Sequence, residues 1–550
     1  MTLPAPGQGK RSSMQSPKKK IIEEYYPRCR SLLDRETWDR VMELHPHDSR
    51  PEALPETLAL HRADLGLPEF FPDLARLEWN FYQITSGKFE TRPGVDRVQV
   101  NPALQLVQVS WRGLPEIFKS TRNSSSLSPL PGEEFVLIWR DARTGQTEVE
   151  TASNEDLLVL KMVVEGIEPK EVATAGELPV AAVDATIERA VARGILLQPG
   201  SRIRRDPATF PRGKITDDLF FSASTFTLQW HITQACDLHC QHCYDRSERS
   251  PMKLEKGLAI LDDLRAFCRS RQVKGQVSFS GGNPLLYPHF TDLYRAATER
   301  GFGTAILGNP SSRERMEDLL NIQRPNFYQV SLEGLPAHND AVRGLGHFEK
   351  VIKFLEVLRE LRIYSMVMLT LTRDNMNQIL PLAEFLRERT DSFTFNRLSQ
   401  VGEGAKLQLP SPEAYSTFLE AYLKAVDTNP ILALKDNLIN ILYYRKGSDP
   451  FGGCTGFGCG AAFNFLTVLP DGEVHACRKF PSLIGNAFEQ SLGEIYESEV
   501  AKRYRAGPSA CRACPIRAGC GGCLAVVYSH GLDVFKARDP YCFMESFAGQ

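Results

Sequence analysis

The sequence predicts an α/β protein centred on a partial (β/α)6 barrel of TIM type, between an N-terminal helical plus winged-helix-like region and a cysteine-rich C-terminal domain. Residues 213–410 alternate apolar strands with amphipathic helices six times, as a parallel barrel requires. Residues 95–212 instead give short strands followed by helices. Eight cysteines fall within residues 451–550, where long periodic segments are few. A segment of this kind is typically held together by metal groups.

Composition limits the protein class. The chain has 550 residues, too many for one core, and a formal net charge of −2 that gives no overall attraction to nucleic acid or anionic lipid. No apolar run reaches the roughly 18 residues that would span a bilayer. Residues 1–20 are polar and basic without the apolar segment of a secretory signal, so we expect a disordered basic tail. We therefore expect a cytoplasmic protein that binds neither nucleic acid nor membrane.

The front of the chain predicts two folded regions. Residues 21–94 place apolar side chains at helical spacing and predict a helical domain. Residues 95–212 predict a winged-helix-like domain, with strands near 98–100, 104–109, 135–139 and 146–151 followed by helices at 154–165, 169–173 and 180–193.

Three functions of this winged-helix-like domain are compatible with its sequence. The last helix carries two acidic and two basic side chains, Asp184, Glu188, Arg189 and Arg193. Phosphate binding requires a surplus of Lys and Arg, so this balance argues against DNA binding. The order of elements resembles the peptide-recognition element of enzymes that modify ribosomally made peptides, in which a leader peptide adds as a strand to a sheet edge. Peptide binding, DNA binding and a purely structural role remain open.

The barrel region predicts six strands, at 225–233, 276–279, 304–307, 327–332, 364–371 and 393–396. Helices at 255–271, 290–300 and 348–361 lie between them, and a helical bridge is predicted at 411–450. Active sites of such folds lie at the carboxyl ends of the strands.

A cysteine triad directly follows the first barrel strand. Cys236, Cys240 and Cys243 have CxxxCxxC spacing, so three thiolates can hold three corners of an iron-sulfur cube and leave its fourth iron open. Tetrahedral zinc is the competing interpretation. Eleven of the 13 cysteines fall in two tight groups, which favours metal or cluster ligation over disulfides in a reducing compartment.

Later strands also end in polar or glycine-rich loops. Ser280-Gly281-Gly282-Asn283-Pro284 follows the second strand, and its glycines permit a ligand to approach the backbone. Ser331 and Glu333 follow the fourth strand and suit a ribose, while the fork of donors on Arg343 suits a carboxylate. The last strand ends in Phe395-Asn396-Arg397-Leu398.

Together these loops and the triad resemble the radical S-adenosylmethionine (SAM) enzymes over residues 225–405. The resemblance implies a 4Fe-4S cluster on Cys236, Cys240 and Cys243, with SAM on its open iron. It also implies cleavage of SAM to a 5'-deoxyadenosyl radical, which abstracts a substrate hydrogen.

The resemblance also implies cofactor contacts. They are the glycine pair Gly281 and Gly282 with Asn283 at the methionine amine, Ser331 and Glu333 at the ribose, Arg343 at the carboxylate, and His242 and Leu398 at the adenine. The family usually has glutamate at position 283. Asn283 is neutral. Its amide oxygen can accept a hydrogen bond from an ammonium group, but it cannot form the ion pair that a glutamate would form.

The C-terminal cysteines, with Pro470-Asp471-Gly472 and Gly485-Asn486, resemble the SPASM domain, which holds two auxiliary 4Fe-4S clusters. The resemblance implies one cluster on Cys454, Cys459, Cys477 and Cys523, and a second on Cys511, Cys514, Cys520 and Cys542, giving three clusters in all. The gap between Cys520 and Cys523 is one residue shorter than usual. Two zinc sites could use the same eight thiolates.

The resemblance implies a peptide maturase that abstracts hydrogen from a ribosomally made precursor and forms a cysteine-to-carbon thioether or a related modification. It implies a precursor peptide bound through the N-terminal region and an electron donor such as flavodoxin or ferredoxin. An anaerobic sulfatase-type formylglycine maturase is one alternative, but that class has an aspartate base after the third auxiliary cysteine, where this chain has Arg478 and Lys479. A redox-sensing winged-helix DNA-binding regulator is the alternative from another class.

Overall fold

The structure is a computed structural model that describes residues 22–45, 50–87, 89, 95–119, 129–142, 144–176, 180–215 and 217–544. The tail predicted at residues 1–20 lies outside this part of the chain. The backbone divides into two compact units, Met1–Leu178 with Ala182–Gly200, and Pro179–Ala181 with Ser201–Gln550. The finer domain boundaries near residues 94, 212, 410 and 450 stay predictions.

Near its start, the described part of the first unit includes the helices α1 (Pro27–Leu32), α2 (Arg35–Leu44), α3 (Leu54–His61) and α4 (Phe71–Ser86). The second part of the unit contains β1 (Gln99–Val100), β2 (Leu104–Arg112), α5 (Leu114–Lys119), β3 (Leu130–Arg140), β4 (Thr147–Thr151), α6 (Asn154–Glu165), α7 (Pro169–Ala175), α8 (Val180–Ala192) and β5 (Leu196–Leu197). Strands β2, β3 and β4 form an antiparallel sheet in that order, and β1 pairs with β5. The predicted succession of strands and three helices is therefore present.

The helices and the antiparallel sheet of the first unit share one hydrophobic core. Trp38 of α2 and Leu74 of α4 are buried in the same cluster as Val136 and Ile138 of β3. A second cluster lies where Leu137 and Trp139, from the opposite face of β3, pack with residues of α6 and α8. Burial on both faces of β3 follows from the alternation of side chains along a strand.

The second unit contains the six predicted barrel strands, β6 (Thr225–Thr233), β7 (Lys274–Gly281), β8 (Gly303–Leu307), β9 (Phe327–Ser331), β10 (Ser365–Leu371) and β11 (Ser392–Arg397). Each pairs in parallel with its neighbour in sequence order. The partial parallel barrel is confirmed.

Helices connect the barrel strands and cover the sheet. They are α9 (Leu254–Arg271), α10 (Phe290–Glu299), α11 (Arg313–Leu320), α12 (Pro336–Arg343), α13 (His347–Glu360) and α14 (Ile379–Leu386). Two more helices, α15 (Pro412–Val426) and α16 (Ile439–Arg445), form the predicted bridge. Their apolar faces join the strands in one core that includes Leu264, Phe279 and Val330.

The C-terminal region extends the barrel sheet. Strand β12 (Phe465–Val468) pairs in parallel with β6, so Val468 lies opposite Trp230. Strands β13 (Glu473–His475) and β14 (Leu483–Asn486) then continue the sheet antiparallel, and helices α17 (Leu492–Glu497), α18 (Glu499–Ala506) and α19 (Leu524–Ser529) follow. The sheet therefore has nine strands among the described residues.

A buried arginine joins the barrel to the bridge and to the C-terminal region. Arg397, at the end of β11, bonds through Nε to Asp436 at 2.8 Å. Its two terminal nitrogens bond to Asp539 at 2.9 and 2.6 Å. Only 1% of the Arg397 side chain is exposed, so its buried charge depends on these carboxylates instead of on water.

Within the described ranges, no helix combines the length and hydropathy needed to cross a bilayer.

Candidate active site

A cavity of about 520 Å³ lies at the carboxyl ends of the barrel strands. All three thiols of the triad, Cys236, Cys240 and Cys243, line it. Of the predicted cofactor contacts, six also line it: His242, Gly281, Gly282, Ser331, Arg343 and Leu398. Asn283 and Glu333 are buried but do not line this cavity.

The glycine pair allows the loop after β7 to pack against the start of the cysteine loop. Gly281 has a φ of +131°, and a Cβ there would lie 2.2 Å from the carbonyl oxygen of Thr233. A Cβ on Gly282 would lie 2.3 Å from the carbonyl oxygen of Ala235. Both distances are shorter than any side chain tolerates, so only glycine brings these two loops together.

Donors approach two of the triad thiols. Nη1 of Arg343 lies 3.6 Å from Sγ of Cys240, and Nδ2 of Asn309 lies 3.7 Å from Sγ of Cys236. Burial raises the pKa of Cys240, and the neighbouring Arg343 opposes that rise. These donors would stabilise thiolates when a metal group is bound.

Arg343 is paired with a buried carboxylate. Its Nε and Nη2 donate to Oε1 of Glu333 at 2.9 and 2.6 Å, and the Thr370 backbone N–H donates to Oε2 at 2.8 Å. Burial acts to raise the pKa of Glu333, but His242 and Arg343 hold it below its ordinary value. The structure thus places Glu333 behind Arg343 instead of at the cavity wall.

Asn283 faces the cysteine loop. Its backbone N–H donates to Ala235 at 2.8 Å, and its Nδ2 donates to Oδ1 of Asp237 at 3.1 Å. Asn309 donates to the same carboxylate oxygen at 2.6 Å. Asn309 follows β8 as the other polar loops follow their strands, and that position could have identified it from the sequence.

The wall of the cavity on the C-terminal side is cationic. Arg478 and Lys479, directly after Cys477, both line the cavity, and Nη1 of Arg478 donates to Oγ of Ser280 at 3.4 Å. Beside them the Tyr244 hydroxyl lies 3.0 Å from Nε2 of His231. Burial lowers the pKa of His231 to about 3, so its imidazole is neutral at physiological pH. In the sequence, Arg478 and Lys479 served only as evidence against an aspartate base after Cys477, and their place in the cavity wall was not predicted.

The eight C-terminal cysteines fall into two sets around two smaller cavities. Cys454, Cys459, Cys477 and Cys523 line a cavity of about 50 Å³, and Cys511, Cys514, Cys520 and Cys542 line one of about 20 Å³. Burial raises the pKa of Cys459 to about 12 and those of Cys477 and Cys511 to about 11. No three His, Cys, Asp or Glu side chains in the described part of the chain converge as ligands of one metal ion.

Four soft sulfur donors around one space fit an iron-sulfur cluster, and the triad with its open side fits a cluster that keeps one iron accessible. The cavity of the first C-terminal set shares Asn396, Arg397 and Lys479 with the large cavity, so the two spaces adjoin.

Comparison with protein-family models identifies both regions. Residues 230–386 match the radical SAM superfamily model. Residues 459–515 match SPASM, an iron-sulfur cluster-binding domain. The chain carries a radical SAM domain and a SPASM domain. These two domains imply 4Fe-4S clusters and SAM binding.

Three of the curated relatives of this radical SAM–SPASM chain are 26–27% identical to it. They include the AdoMet-dependent heme synthase of Methanosarcina barkeri, 27% identical over 57% of this chain and 95% of the relative. The subtilosin biosynthesis protein AlbA of Bacillus subtilis is 26% identical over 56% of this chain and 68% of the relative. The mycofactocin maturase MftC of Mycolicibacterium smegmatis is 27% identical over 57% of this chain and 82% of the relative.

Solved structures with a similar chain trace include SuiB of Streptococcus suis, which is 18% identical, covers 74% of this chain and 96% of its own, and gives a TM-score of 0.49. Native anSMEcpe with bound AdoMet and a Cp18Cys peptide is 17% identical, covers 57% of this chain and 93% of its own, and gives a TM-score of 0.46.

Proposed function

We propose that this radical SAM enzyme is a maturase of ribosomally made peptides. The observation that carries the proposal is one large cavity with the cysteine triad on one side and, adjoining it, the first C-terminal cysteine set. The names of two relatives, a bacteriocin biosynthesis protein and a mycofactocin maturase, support peptide modification as the chemistry.

Cys236, Cys240 and Cys243 would hold the 4Fe-4S cluster that binds SAM. When bound, this cluster supplies the electron that cleaves SAM to a 5'-deoxyadenosyl radical, which removes a hydrogen atom from the substrate. Gly281, Gly282, Ser331 and Leu398 line the cavity that the cofactor would enter. Glu333 holds the guanidinium of Arg343 in place beside Cys240.

The two C-terminal cysteine sets would hold two further clusters, giving three in the chain. All four thiols of each set line one cavity, which supports full ligation by protein and a role in electron transfer or structural support. A cytoplasmic electron donor such as flavodoxin or ferredoxin would supply the reducing electron.

The product we propose is a thioether from a peptide cysteine to a carbon, or a related modification. Loss of a hydrogen atom from carbon, followed by carbon–sulfur bond formation, releases one proton and one electron, so the peptide loses two hydrogen atoms in total. The electron needs an acceptor near the cavity, and the set of Cys454, Cys459, Cys477 and Cys523 adjoins it. A guanidinium at position 478 cannot act as the base that formylglycine formation needs.

The first unit would bind the precursor peptide. Its three-stranded sheet has two outer strands, β2 and β4, to which an extended leader peptide could add by main-chain hydrogen bonds. Strand addition of this kind reads backbone groups more than side chains, which suits a leader segment of variable sequence.

The test combines SAM cleavage with peptide analysis. The anaerobically reconstituted, reduced enzyme is incubated with SAM and with a small peptide encoded beside its gene. We expect 5'-deoxyadenosine and a peptide lighter by two hydrogen atoms, both detected by mass spectrometry. The triple variant C236A/C240A/C243A is the control and should give neither product. Absence of 5'-deoxyadenosine from the fully loaded native enzyme would contradict the proposal.

A further inference from the structure

We propose that the large cavity binds a carboxylate of the peptide substrate through Arg478. This inference rests on the proposed function, because it assumes that a peptide enters the cavity. The inference adds that the group of the peptide that binds beside Arg478 is a carboxylate.

The cationic side chains of the cavity differ in their partners. Arg343 is paired with Glu333, and Arg397 is paired with Asp436 and Asp539. Asp245, which also lines the cavity, lies 3.6 Å from Arg249 and accepts bonds from Ser247 and Gln234. Within the described residues, no carboxylate forms an ion pair with Arg478 or Lys479. Two positive charges at the cavity wall are therefore left without a carboxylate partner of the protein.

Arg478 differs from the other cations near it. Lys435 and Lys479 line the cavity of the first C-terminal cysteine set, so thiolates there can balance their charge. Arg478 lines the large cavity but not the smaller one. Arg246 also lines the large cavity, but it donates to the backbone oxygen of Cys240 at 3.0 Å and so serves the cysteine loop. Arg478 is the cation whose charge is directed at the space a substrate would occupy.

The surroundings of Arg478 favour an anion. Among the described residues, the Arg478 guanidinium forms one long side-chain hydrogen bond, 3.4 Å from Nη1 to Oγ of Ser280, which leaves most of its five N–H donors available. Nearby, His231 is buried and neutral, and it bonds to the half-buried, neutral Tyr244. A half-buried guanidinium fork suits the planar, bidentate geometry of a carboxylate.

Two kinds of carboxylate could dock here, an acidic side chain or a peptide C terminus. The carboxylate of SAM is a third anion, and Arg343 is the residue proposed for it. The experiment therefore compares both peptide carboxylates with a neutral probe and measures SAM affinity separately.

The probes are N-acetylglutamate amide, with a side-chain carboxylate, N-acetylglutamine, with a terminal carboxylate, and N-acetylglutamine amide, which is neutral. Each is bound to the reconstituted enzyme with SAM and without reductant, and affinity is measured by equilibrium dialysis. We expect at least one carboxylate probe to bind about tenfold more tightly than the neutral one. Arg478→Gln should reduce this preference to less than about twofold, and Arg478→Lys should retain part of it. Arg295→Gln, at an exposed position on α10, should keep the full preference.

Equal binding of the three probes to the native enzyme, or no binding of any probe, would overturn the inference, as would a preference that survives Arg478→Gln. Loss of SAM affinity together with the preference would assign Arg478 to the cofactor and also overturn it. The dialysis requires no turnover, so its outcome is independent of the test for peptide modification. An enzyme that modifies its peptide without a carboxylate preference contradicts this inference alone.

Discussion

The amide of Asn283 donates to the carboxylate of Asp237, with 3.1 Å between Nδ2 and Oδ1. The family's usual glutamate at position 283 is thus replaced by a neutral side chain that contacts a carboxylate of the cysteine loop. Because Nδ2 points to Asp237, the amide oxygen is held facing away from it, where it accepts from the Leu285 N–H at 3.3 Å. Asp237 therefore orients Asn283.

The first prediction concerns SAM affinity. The bond from Asn283 Nδ2 to the Asp237 carboxylate holds the cysteine loop, and a hydrogen bond to a charged group contributes about 1.5–3 kcal/mol. We therefore expect Asn283→Ala to disturb this loop and to weaken SAM binding by about tenfold or more. Equilibrium dialysis measures the affinity, and iron analysis checks that the clusters are complete. Asn326→Ala is the matched control, since Asn326 bonds to Gln276 near the amino end of β7. Unchanged SAM affinity in Asn283→Ala with full iron would show that position 283 has no part in cofactor binding.

The second prediction concerns Cys523. The native protein should bind about twelve irons, and Cys523→Ala should bind about eight, because one ligand set of four thiols loses a member. Iron and sulfide are measured after anaerobic reconstitution. Cys268→Ala, which removes a buried thiol outside both sets, should keep about twelve irons. Native protein that binds zinc in place of eight of the irons would support the zinc interpretation instead.

The third prediction concerns the Arg397 ion pairs. Asp539→Ala removes a carboxylate that is fully buried beside Arg397 and also accepts from the Cys523 N–H at 2.8 Å. Breaking a buried pair by removing one partner costs about 3–5 kcal/mol, so the free energy of unfolding of the second unit should fall by about that amount. Denaturant unfolding measures it. Asp374→Ala breaks only an exposed pair with Arg373 and should change the free energy of unfolding by less than about 1 kcal/mol. Equal effects of the two substitutions would contradict this view of Arg397.

The fourth prediction concerns pH and the first unit. Asp156 at the start of α6 accepts from Arg193 at 2.6 Å and from the Ser153 N–H at 3.0 Å. Burial acts to raise the pKa of Asp156, but these bonds hold it below its ordinary value. The stabilising contribution of the carboxylate is therefore complete above the unfolded pKa of about 3.9 and is lost as pH falls through the lower folded pKa.

Asp156→Asn should accordingly lower the free energy of unfolding by about 1–3 kcal/mol at pH 7, and the difference from the native protein should shrink as pH falls below the unfolded pKa of about 3.9. Unfolding curves across this pH range provide the measurement. Glu165→Gln, at the exposed end of the same helix, should show no such dependence. A difference that is the same at every pH would rule out an electrostatic origin.

The barrel and the triad could be predicted because their signals are local. Each barrel strand is a short apolar run before a polar loop, and the three thiols lie within eight residues of one another. Pairing across the sheet follows from the rule that successive parallel strands are neighbours. The register of Thr233 opposite Gly281 then places the cysteine and glycine loops together.

Other features depend on long-range packing that the sequence does not reveal. The four buried residues of β12 give no sign that they pair with β6, more than 200 positions earlier. The contact of Arg343 with Glu333 depends on how α12 packs after β9, so the sequence could identify both residues without their pairing. The shared core of α1–α4 and β3 was likewise not predicted, because no local pattern distinguishes a helix that packs on its own domain from one that packs on a neighbouring sheet.

The pairing of β12 with β6 constrains the distance between Cys236 and Cys477. Strand β6 leads directly into the loop of Cys236, and β12 and β13 lead directly into Cys477, so both cysteines extend from one hydrogen-bonded ladder. An electron that tunnels between groups held at these two places would cross a distance set largely by the strand pairing. We expect its rate to be insensitive to viscosity, unlike that of an enzyme whose redox centres must first swing together.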